Sequence, residues 1–459
     1  MENLLNLKNK LHLIGIGGSG MYPLAQILHA KGYILTGSDN NQTDTLDAVR
    51  AMGIRVFMGH FAENIVLSKA DVVIRSAAIK DDNSEIIAAR SQNIPIIERA
   101  ELLGFVTRQY KKAVCVSGTH GKTTVSSMLT YIFMSSRNPA IADVSAVIGG
   151  KLGILDNGSG RTGASDIMVC EACEYSDTFL KLDPNISVIL NINCDHLEYF
   201  KSMENLRLSF TKFCNITSDV LVINGDDANT MLAVSDSDFA GRIITYGISD
   251  KNDYYPKNVS KGEFDLVCRG DFVVSVKLNV PGEHNILNAV AACACAIAAG
   301  ADGKALVDGL KAFPGAQRRF EVLAKVNGIT VVDDYAHHPT EITATLKAAK
   351  SMGYDRVWAV HQPFTYSRTK TMLNEFAEAL SIADKVTLTE IMGGREVNNN
   401  DVFAKDLAAL TQNCNWFESF EEVCAHIVEN ARNNDLIITL GCGDVNKVAQ
   451  MIVKNISKK

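Results

Sequence analysis

An α/β protein built from three units in series is what this sequence predicts, on three observations. Short runs rich in Val, Ile and Leu alternate with helical stretches along almost the whole chain, the pattern of parallel sheets covered by crossover helices. Two glycine loops each follow such a run and open a helix, one at Gly15 to Met21 and one at Ser117 to Thr124. The length, 459 residues, exceeds what one core supports and suits about three domains of roughly 150 residues. No short-period repeat of the solenoid kind is present.

The elements follow in order. From Leu11 to about Thr107 the strands read LHLIGIG, YILTGSD, IRVFMGH, DVVIRSAAI and IPIIERA, with helices from Met21 and near Leu46. The polar stretch Arg108 to Lys112 sets a boundary, and a second strand, loop and helix start at Ala113. That region carries AVCVSG, DIMVCEA, ISVILNIN and DVLVING, near-continuously apolar as strands buried on both faces should be. A β-rich insertion is expected around Arg242 to Val280, with a hairpin turn at Arg269, Gly270 and Asp271. The run Ile286 to Ala299 contains Asn288 and falls short of the roughly 20 residues of a membrane span, so it reads as a buried helix. PheProGly from Phe313 to Gly315 breaks the chain, and a third region begins near Arg319 with ITVVDDY, RVWAVHQ, KVTLTEI and DLIITLG. The division expected is 1–108, 109–316 and 317–459.

Composition narrows the class of function. The net charge of -7 argues against nucleic acid as a partner, which clustered Lys and Arg would be needed to bind. The first residues lack the cationic region, apolar stretch and small-residue cleavage site of a signal peptide, so they read as the approach to the first strand. The 11 cysteines are scattered through apolar strand and helix contexts, which fits reduced core thiols and a cytoplasmic protein with no membrane partner. Cys170 and Cys173 form a CxxC pair, but the second ligand pair that a zinc site wants is missing.

Chemistry concentrates at strand ends. At the first loop, Gly15, Gly17, Gly18 and Gly20 precede a helix beginning near Met21, so backbone amides can close on a diphosphate. Asp39 ends the second strand, where a ribose hydroxyl would be held. Taken alone this suits NAD, or a tight turn with no ligand. The second loop is more specific: Gly118, Thr119, His120, Gly121, Lys122, Thr123 and Thr124 supply backbone N–H groups for phosphate oxygens, a lysine for the β/γ charge and a hydroxyl for magnesium. It is a shortened variant, with Val116 where the usual loop has its first glycine. Glu171 ends one neighbouring strand, and Asp195 and His196 end another, where further magnesium ligands belong. Pro281 to Asn288 opens the Ala-rich helix, and its polar residues read as caps. His337 and His338, in the block closing at Pro339, are read as neighbours in a strand facing opposite ways, which disfavours a shared metal.

Nine blocks in this order resemble the Mur ligase family, which builds the peptide of bacterial cell-wall precursors. They are GIGGSGM, SGTHGKTT, EACEYSDTF from Glu171, NCDHLE from Asn193, PGEHNILNA from Pro281, FPGAQRRFE from Phe313, DDYAHHPTE from Asp333, HQPFTYSRT from His361 and GCGD from Gly441. The resemblance implies a Rossmann-like amino-terminal domain, a central P-loop ATPase-like domain and a Rossmann-like carboxyl-terminal domain closing on ATP and amino acid. It implies a UDP sugar, and no dinucleotide, at Gly15, Gly17, Gly18, Gly20, Met21, Asp39 and Ser76. ATP would occupy Gly118 to Thr124, with His284, Asn285 and Asn288 near the adenine and Arg319 and Asp334 completing the pocket. Lys122, Glu171 and His196 would be catalytic, and Thr123, Glu171 and His196 would hold Mg2+. Tyr335, His337 and Arg368 would lie near the amino acid and sugar.

GIGGSGM, RRFE and DDYAHHPTE are similar to the member that adds L-alanine to UDP-N-acetylmuramate through an acyl phosphate, releasing ADP and phosphate; a monomer or homodimer is expected. The rival within the family attaches a recycled murein tripeptide to the same sugar nucleotide. Outside it stand an NAD-dependent sugar-nucleotide oxidoreductase, which the second loop opposes, and an inactive binding protein, which intact Lys122, Glu171 and His196 oppose. Two departures fall near the acceptor side: Phe364 where the family has histidine, and the stretch Met392 to Glu396, MGGRE in place of the commoner AAGE or AARE.

Overall fold

The computed structural model describes Leu5 and residues 10–155, 158–394, 396–399 and 401–458, with the side chains of 197 and 198 set aside. The segment before the first strand thus lies mostly outside the described residues, as does Arg395. The chain forms three sheets. It divides into two compact units, one of Met1–Lys277 and Leu287–Phe313 and the other of Leu278–Ile286 and Pro314–Lys459.

In the first unit, strands β1 (Lys10–Ile14), β2 (Ile34–Asp39), β3 (Arg55–Met58), β4 (Val72–Arg75) and β5 (Ile96–Glu98) form a parallel sheet in the order β3-β2-β1-β4-β5. Helices α1 (Tyr22–Ala30), α2 (Ser84–Ser91) and α3 (Arg99–Thr107) are among those that cover it. Strand order reverses at β1, so the loop after β1 opens at the switch point where α/β sheets bind ligands.

The second sheet of this unit has strands β6 (Lys112–Ser117), β7 (Ser145–Leu152), β8 (Gly158–Arg161), β9 (Ile167–Glu171), β10 (Ile186–Ile189), β11 (Val220–Asn224), β12 (Arg242–Tyr246), β13 (Tyr254–Ser260), β14 (Glu263–Cys268) and β15 (Asp271–Lys277). They run in the order β15-β14-β13-β12-β11-β10-β6-β9-β7-β8. β6 and β10 are buried along nearly their whole length, which explains their unbroken apolar sequence. The expected hairpin turn sits between β14 and β15, with Arg269 and Gly270 both at positive φ, as a two-residue hairpin loop requires. This β-rich segment is no separate body: β13 pairs in parallel with β12, so the meander extends the main sheet. Helix α4 (Lys122–Met134) follows β6, and α5 (Glu283–Ala299) is the Ala-rich helix.

The two layers of the first unit meet through small residues. Gly160 N donates to Gln26 Oε1 at 3.0 Å, and a Cβ on Gly160 would come within 2.6 Å of the Pro23 backbone. One cluster of buried side chains runs from Leu13 and Leu24 through Phe179 and Phe210 to Leu221.

In the second unit, β16 (Glu321–Val326), β17 (Ile329–Asp334), β18 (Arg356–His361), β19 (Lys385–Leu388), β20 (Cys414–Trp416) and β21 (Asp435–Leu440) form a sheet in the order β16-β17-β21-β18-β19-β20. All pairs are parallel except β16 with β17. Helix α6 (Pro339–Lys350) follows β17 and α7 (Asn446–Ile456) follows β21. Among the described residues no helix is long and apolar enough to cross a membrane.

Candidate active site

The second glycine loop is built at the crossing of β6, β9 and β10. Val116 lies inside β6, paired with Glu171 of β9, so the loop proper begins at Gly118. Gly118 (φ 133) and Gly121 (φ 89) adopt backbone conformations that side chains resist. A Cβ on Gly118 would sit 2.9 Å from Leu190, and one on Gly121 would sit 2.8 Å from Asn288 Oδ1. Asn191, just past β10, clamps the loop: His120 N donates to its Oδ1 at 2.9 Å and its Nδ2 donates to His120 O at 3.1 Å. Thr119 is tied to Asn193 in the same way, receiving Asn193 N at 2.9 Å on its hydroxyl. The first turn of α4 then presents its N–H groups with no acidic side chain and no capping side chain, a site made for phosphate.

Lys122 folds over this turn. Its Nζ donates to the carbonyls of Gly118 and Thr119 and to both oxygens of Glu174, at 3.1 and 2.9 Å. Burial works against the ammonium, but the Glu174 carboxylate outweighs it and holds the Lys122 pKa above its ordinary value. Glu174 is 1% exposed. Sequence reading missed it, although a second carboxylate three residues after Glu171, in the loop leaving β9, was the available signal. Glu171 itself accepts Gly149 N and, at 3.4 Å, Ser126 Oγ; that hydroxyl also donates to Lys122 O at 2.7 Å, which ties Glu171 to the first turn of α4. His196 sits at φ 56, packed 4.8 Å from the Tyr175 ring and near Asp195. Ser176 and Asp177 are also left-handed, so the segment after Glu174 is backbone-strained. Asp177 is held by Ser209 and by Tyr199 OH.

The chemistry of the donor set suits a hard cation bound beside phosphates. Thr123 is partly exposed on the first turn of α4, and Glu171 is tethered to that turn. Among the described residues no group of three His, Cys, Asp or Glu side chains could hold a metal alone; magnesium takes one or two protein oxygens and completes its shell from phosphate and water. Cys170 faces Cys115 across β9 and β6, Sγ to Sγ 3.4 Å, as a buried core thiol.

At the first glycine loop, Gly15 N and Ile16 N donate to Ser38 O at 2.8 and 3.1 Å, and Gly17 N donates to Asp39 Oδ2 at 3.0 Å. Asp39 therefore shapes the loop, also accepting Asn41 N. Met21 precedes α1 and is buried, while Ser76 follows β4 on the same edge of the sheet. Arg99, at the start of α3, brings Nε and Nη1 to within 3.2 Å of where a Cβ on Gly20 would lie. Sequence reading missed this cation, because a single arginine after a three-residue strand carries no motif.

In the second unit the ends of β17, β21 and β18 are stitched together. Asp334 accepts Phe320 N at 2.8 Å and Ala336 N at 2.7 Å, and burial pushes its pKa up to about 6. It orders the RRFE turn, where Arg318 and Phe320, at φ 58 and 49, flank Arg319. Arg318 donates to Asp333 and to the carbonyls of Gly441 and Gly443. Tyr335 lies between the guanidiniums of Arg318 and Arg319, each 5.1 Å from its ring centroid. Arg319 also pairs with Glu341 at 3.7 Å, and Glu341 accepts His337 N at 3.1 Å. Arg368 lies on the short helix Tyr366–Thr371, with its charge close to Cys442.

The reading of His337 and His338 as strand neighbours needs correction. β17 ends at Asp334; His337 turns back to Tyr335 O at 3.0 Å, and His338 caps α6 through Thr340 N. At the start of α5, Asn285 Nδ2 donates to Pro281 O at 2.6 Å, the reverse of a helix N-cap, whose side chain accepts a backbone N–H, and His284 is solvent-exposed. The two acceptor-side departures meet: the Phe364 ring lies 3.1 Å from where a Cβ on Gly394 would stand, and Phe364 bridges to Met392.

A glycine loop of the phosphate-gripping type on one α/β sheet, with a second glycine loop at the switch point of another, is the frame of a nucleotide-dependent enzyme, and comparison with known proteins agrees. Family models match as the Mur ligase family catalytic domain at 10–111, the Mur ligase middle domain at 116–296 and the Mur ligase glutamate ligase domain at 318–443. The chain belongs to the Mur ligase family. It is 41% identical over 455 residues, 97% of each chain, to the UDP-N-acetylmuramate–L-alanine ligase of Agathobacter rectalis. The protein of that name from Caldanaerobacter subterraneus subsp. tengcongensis is 40% identical over the full length of both. Among solved structures, the UDP-N-acetylmuramate-alanine ligase of Thermotoga maritima superposes with a TM-score of 0.82 at 29% identity, covering 98% of this chain and 99% of its own. The murein peptide ligase of Psychrobacter arcticus shares the fold at 24% identity and a TM-score of 0.75.

Proposed function

We propose that this protein is the ATP-dependent ligase that joins L-alanine to UDP-N-acetylmuramate in peptidoglycan precursor synthesis, working in the cytoplasm on small-molecule substrates. The observation that carries the reading is full-length identity of 40% and above to relatives named for that reaction, in a chain whose ATP-type loop keeps Lys122 paired with the buried Glu174. The domains are divided as 1–108 for the sugar nucleotide, 109–316 for ATP and 317–459 for the carboxyl-terminal α/β domain.

The lactyl carboxylate is a poor electrophile until one of its oxygens becomes a leaving group. It attacks the γ-phosphorus of ATP, the bond to the β-γ bridging oxygen breaks, and an acyl phosphate and ADP result. Lys122 and the open N–H groups of α4 take up charge on the transferring phosphoryl group. When ATP enters, Lys122 exchanges its carbonyl contacts at Gly118 and Thr119 for phosphate oxygens, while Glu174 retains and aims the ammonium. Thr123, Glu171 and His196 are the residues that would hold Mg2+, which supplies charge neutralisation at the phosphates. The neutral amine of alanine then attacks the acyl carbon, and the tetrahedral intermediate expels phosphate.

The loop Gly15 to Gly20 takes the diphosphate at its helix end, through the amides of Ser19 and Gly20 and the Arg99 guanidinium, since the amides of Gly15 to Gly18 are engaged within the loop and with β2; Met21, Asp39 and Ser76 lie on the same edge. His284, Asn285, Asn288, Arg319 and Asp334 are assigned to the nucleotide, and Tyr335, His337 and Arg368 to the acceptor. Asp334 acts through the turn it orders, since both its oxygens accept backbone N–H groups.

The test is phosphate release from ATP by the full chain with UDP-N-acetylmuramate and one acceptor at a time. L-Alanine alone should support release. Activity only with a murein tripeptide would move the protein to the recycling branch, and no sugar-dependent release with any acceptor would sink the ligase reading.

A further inference from the structure

A carboxylate unused by the chemistry is buried beneath the first glycine loop. Glu85, on α2, is fully buried and draws groups from three strands or their ends. Its Oε2 accepts Ser38 Oγ from β2 at 2.6 Å and lies 3.3 Å from His60 Nδ1, just past β3. Its Oε1 accepts Asn64 Nδ2 at 2.5 Å and lies 3.5 Å from Nε2 of the fully buried His12 on β1. Asn64 also donates to Gly59 O, and Ser84, beside Glu85, donates to His60 O. Ser38 is the residue whose carbonyl receives Gly15 N and Ile16 N, and its neighbour Asp39 receives Gly17 N. The glycine loop thus hangs on β2, and the hydroxyl of that same Ser38 is anchored to Glu85.

We propose that Glu85 is a positioning residue for the sugar nucleotide: its charge gathers Ser38, His60, Asn64 and His12, and so fixes β2 and the glycine loop that hangs on it, at whose helix end the diphosphate is received. The inference rests on the sugar-nucleotide reading of this loop. A carboxylate suits the place because the Ser38 hydroxyl and the Asn64 amide donate to its two oxygens while two imidazoles stand within 3.5 Å, that of His60 also bonded to Ser38 Oγ at 3.0 Å. Glutamine keeps the shape but brings an NH2 group against either Ser38 or Asn64, and one anchor is lost. In the sequence only His12, beside the loop block, and Ser38, beside Asp39, adjoin positions that a motif singles out.

The experiment compares wild type, Glu85→Gln and Ser38→Ala as full chains, with KM for each of the three substrates, kcat and the thermal midpoint. Glu85→Gln should raise KM for UDP-N-acetylmuramate about tenfold and Ser38→Ala about threefold, the scale of one lost or weakened hydrogen bond, with kcat and the KM values for ATP and L-alanine within about twofold of wild type. A purely structural role lowers the thermal midpoint without singling out one substrate, so parallel changes in all three KM values, or an unchanged KM for the sugar nucleotide, would overturn the proposal. Should Glu85→Gln not accumulate as folded protein, Ser38→Ala decides by the same criteria. Wild type that shows no saturable dependence on the sugar nucleotide sinks the functional reading itself, whereas saturable wild type with unaltered variants sinks only this one.

Discussion

In the proposed reaction Lys122 and Glu174 carry the chemistry at the scale of single residues. The lysine reaches its partners only because the loop turns at Gly118 and Gly121, and the buried carboxylate keeps it charged in a place where burial alone would lower its pKa. Lys122→Ala should lower kcat by about a hundredfold to a thousandfold, the usual cost of removing one preorganised charge or donor, read as phosphate release. Glu174→Gln should cost about tenfold or more in kcat with KM for L-alanine unchanged, since it loosens the ammonium and leaves the acceptor side alone. A kcat unaffected by Glu174→Gln would show that the pair is only structural. Gly394 gives a different kind of test. At φ 63 and 3.1 Å from the Phe364 ring, alanine there is expected to lose about 1 kcal/mol or more of stability through backbone strain, seen as a lower thermal midpoint. Replacing Phe364 by histidine in the same chain should recover only the steric part of that loss.

Elements explain which features could be read in advance. β1, β6, β10 and β21 were legible because parallel strands buried on both faces leave near-continuous apolar runs, and glycines announce the ends of β1, β6 and β21. β7 and β8 were not legible: β7 holds two glycines and β8 is a four-residue GSGR strand, short and poor in β-branched residues. β16 escaped because none of its residues is buried. Of the site, the loop residues and Glu171 were visible as motif positions and Glu174 left a signal beside Glu171, whereas Asn191 and Arg99 gain meaning only through what they touch across neighbouring elements. Packing of α1 on β8 offers a prediction at this scale. Gly160→Val would drive its side chain into Pro23 and should cost about 2 kcal/mol or more of stability, as overpacking does, with the loss read in denaturant unfolding.

Charge burial gives the molecule a pH dependence that can be signed. Burial disfavours the ionised Glu85, but the contacts of His12, His60, Ser38 and Asn64 outweigh it and hold its pKa at about 2, below the ordinary 4.5. The native state then binds fewer protons than the unfolded chain between these values, so the contribution of Glu85 is complete above pH 4.5 and is lost as pH falls toward 2. The size is on the order of 3 kcal/mol. Asp334 works the other way: its pKa is raised from 3.8 to about 6, so its contribution is complete below pH 3.8 and declines as pH rises through 6. Wild type should lose stability between pH 4.5 and 3 more steeply than Glu85→Gln, in denaturant titrations across that range. Parallel curves for the two proteins would show that Glu85 is not the group responsible.

In the proposed reaction the ATP loop around Lys122 activates a carboxylate as an acyl phosphate. That step is tested most directly by labelling the lactyl carboxylate of UDP-N-acetylmuramate with oxygen-18 and weighing the phosphate released in the presence of ATP and L-alanine. Phosphate carrying one carboxylate oxygen, with the other retained in the new amide, is the result the account predicts. Unlabelled phosphate, with both labelled oxygens still on the sugar nucleotide, would contradict it.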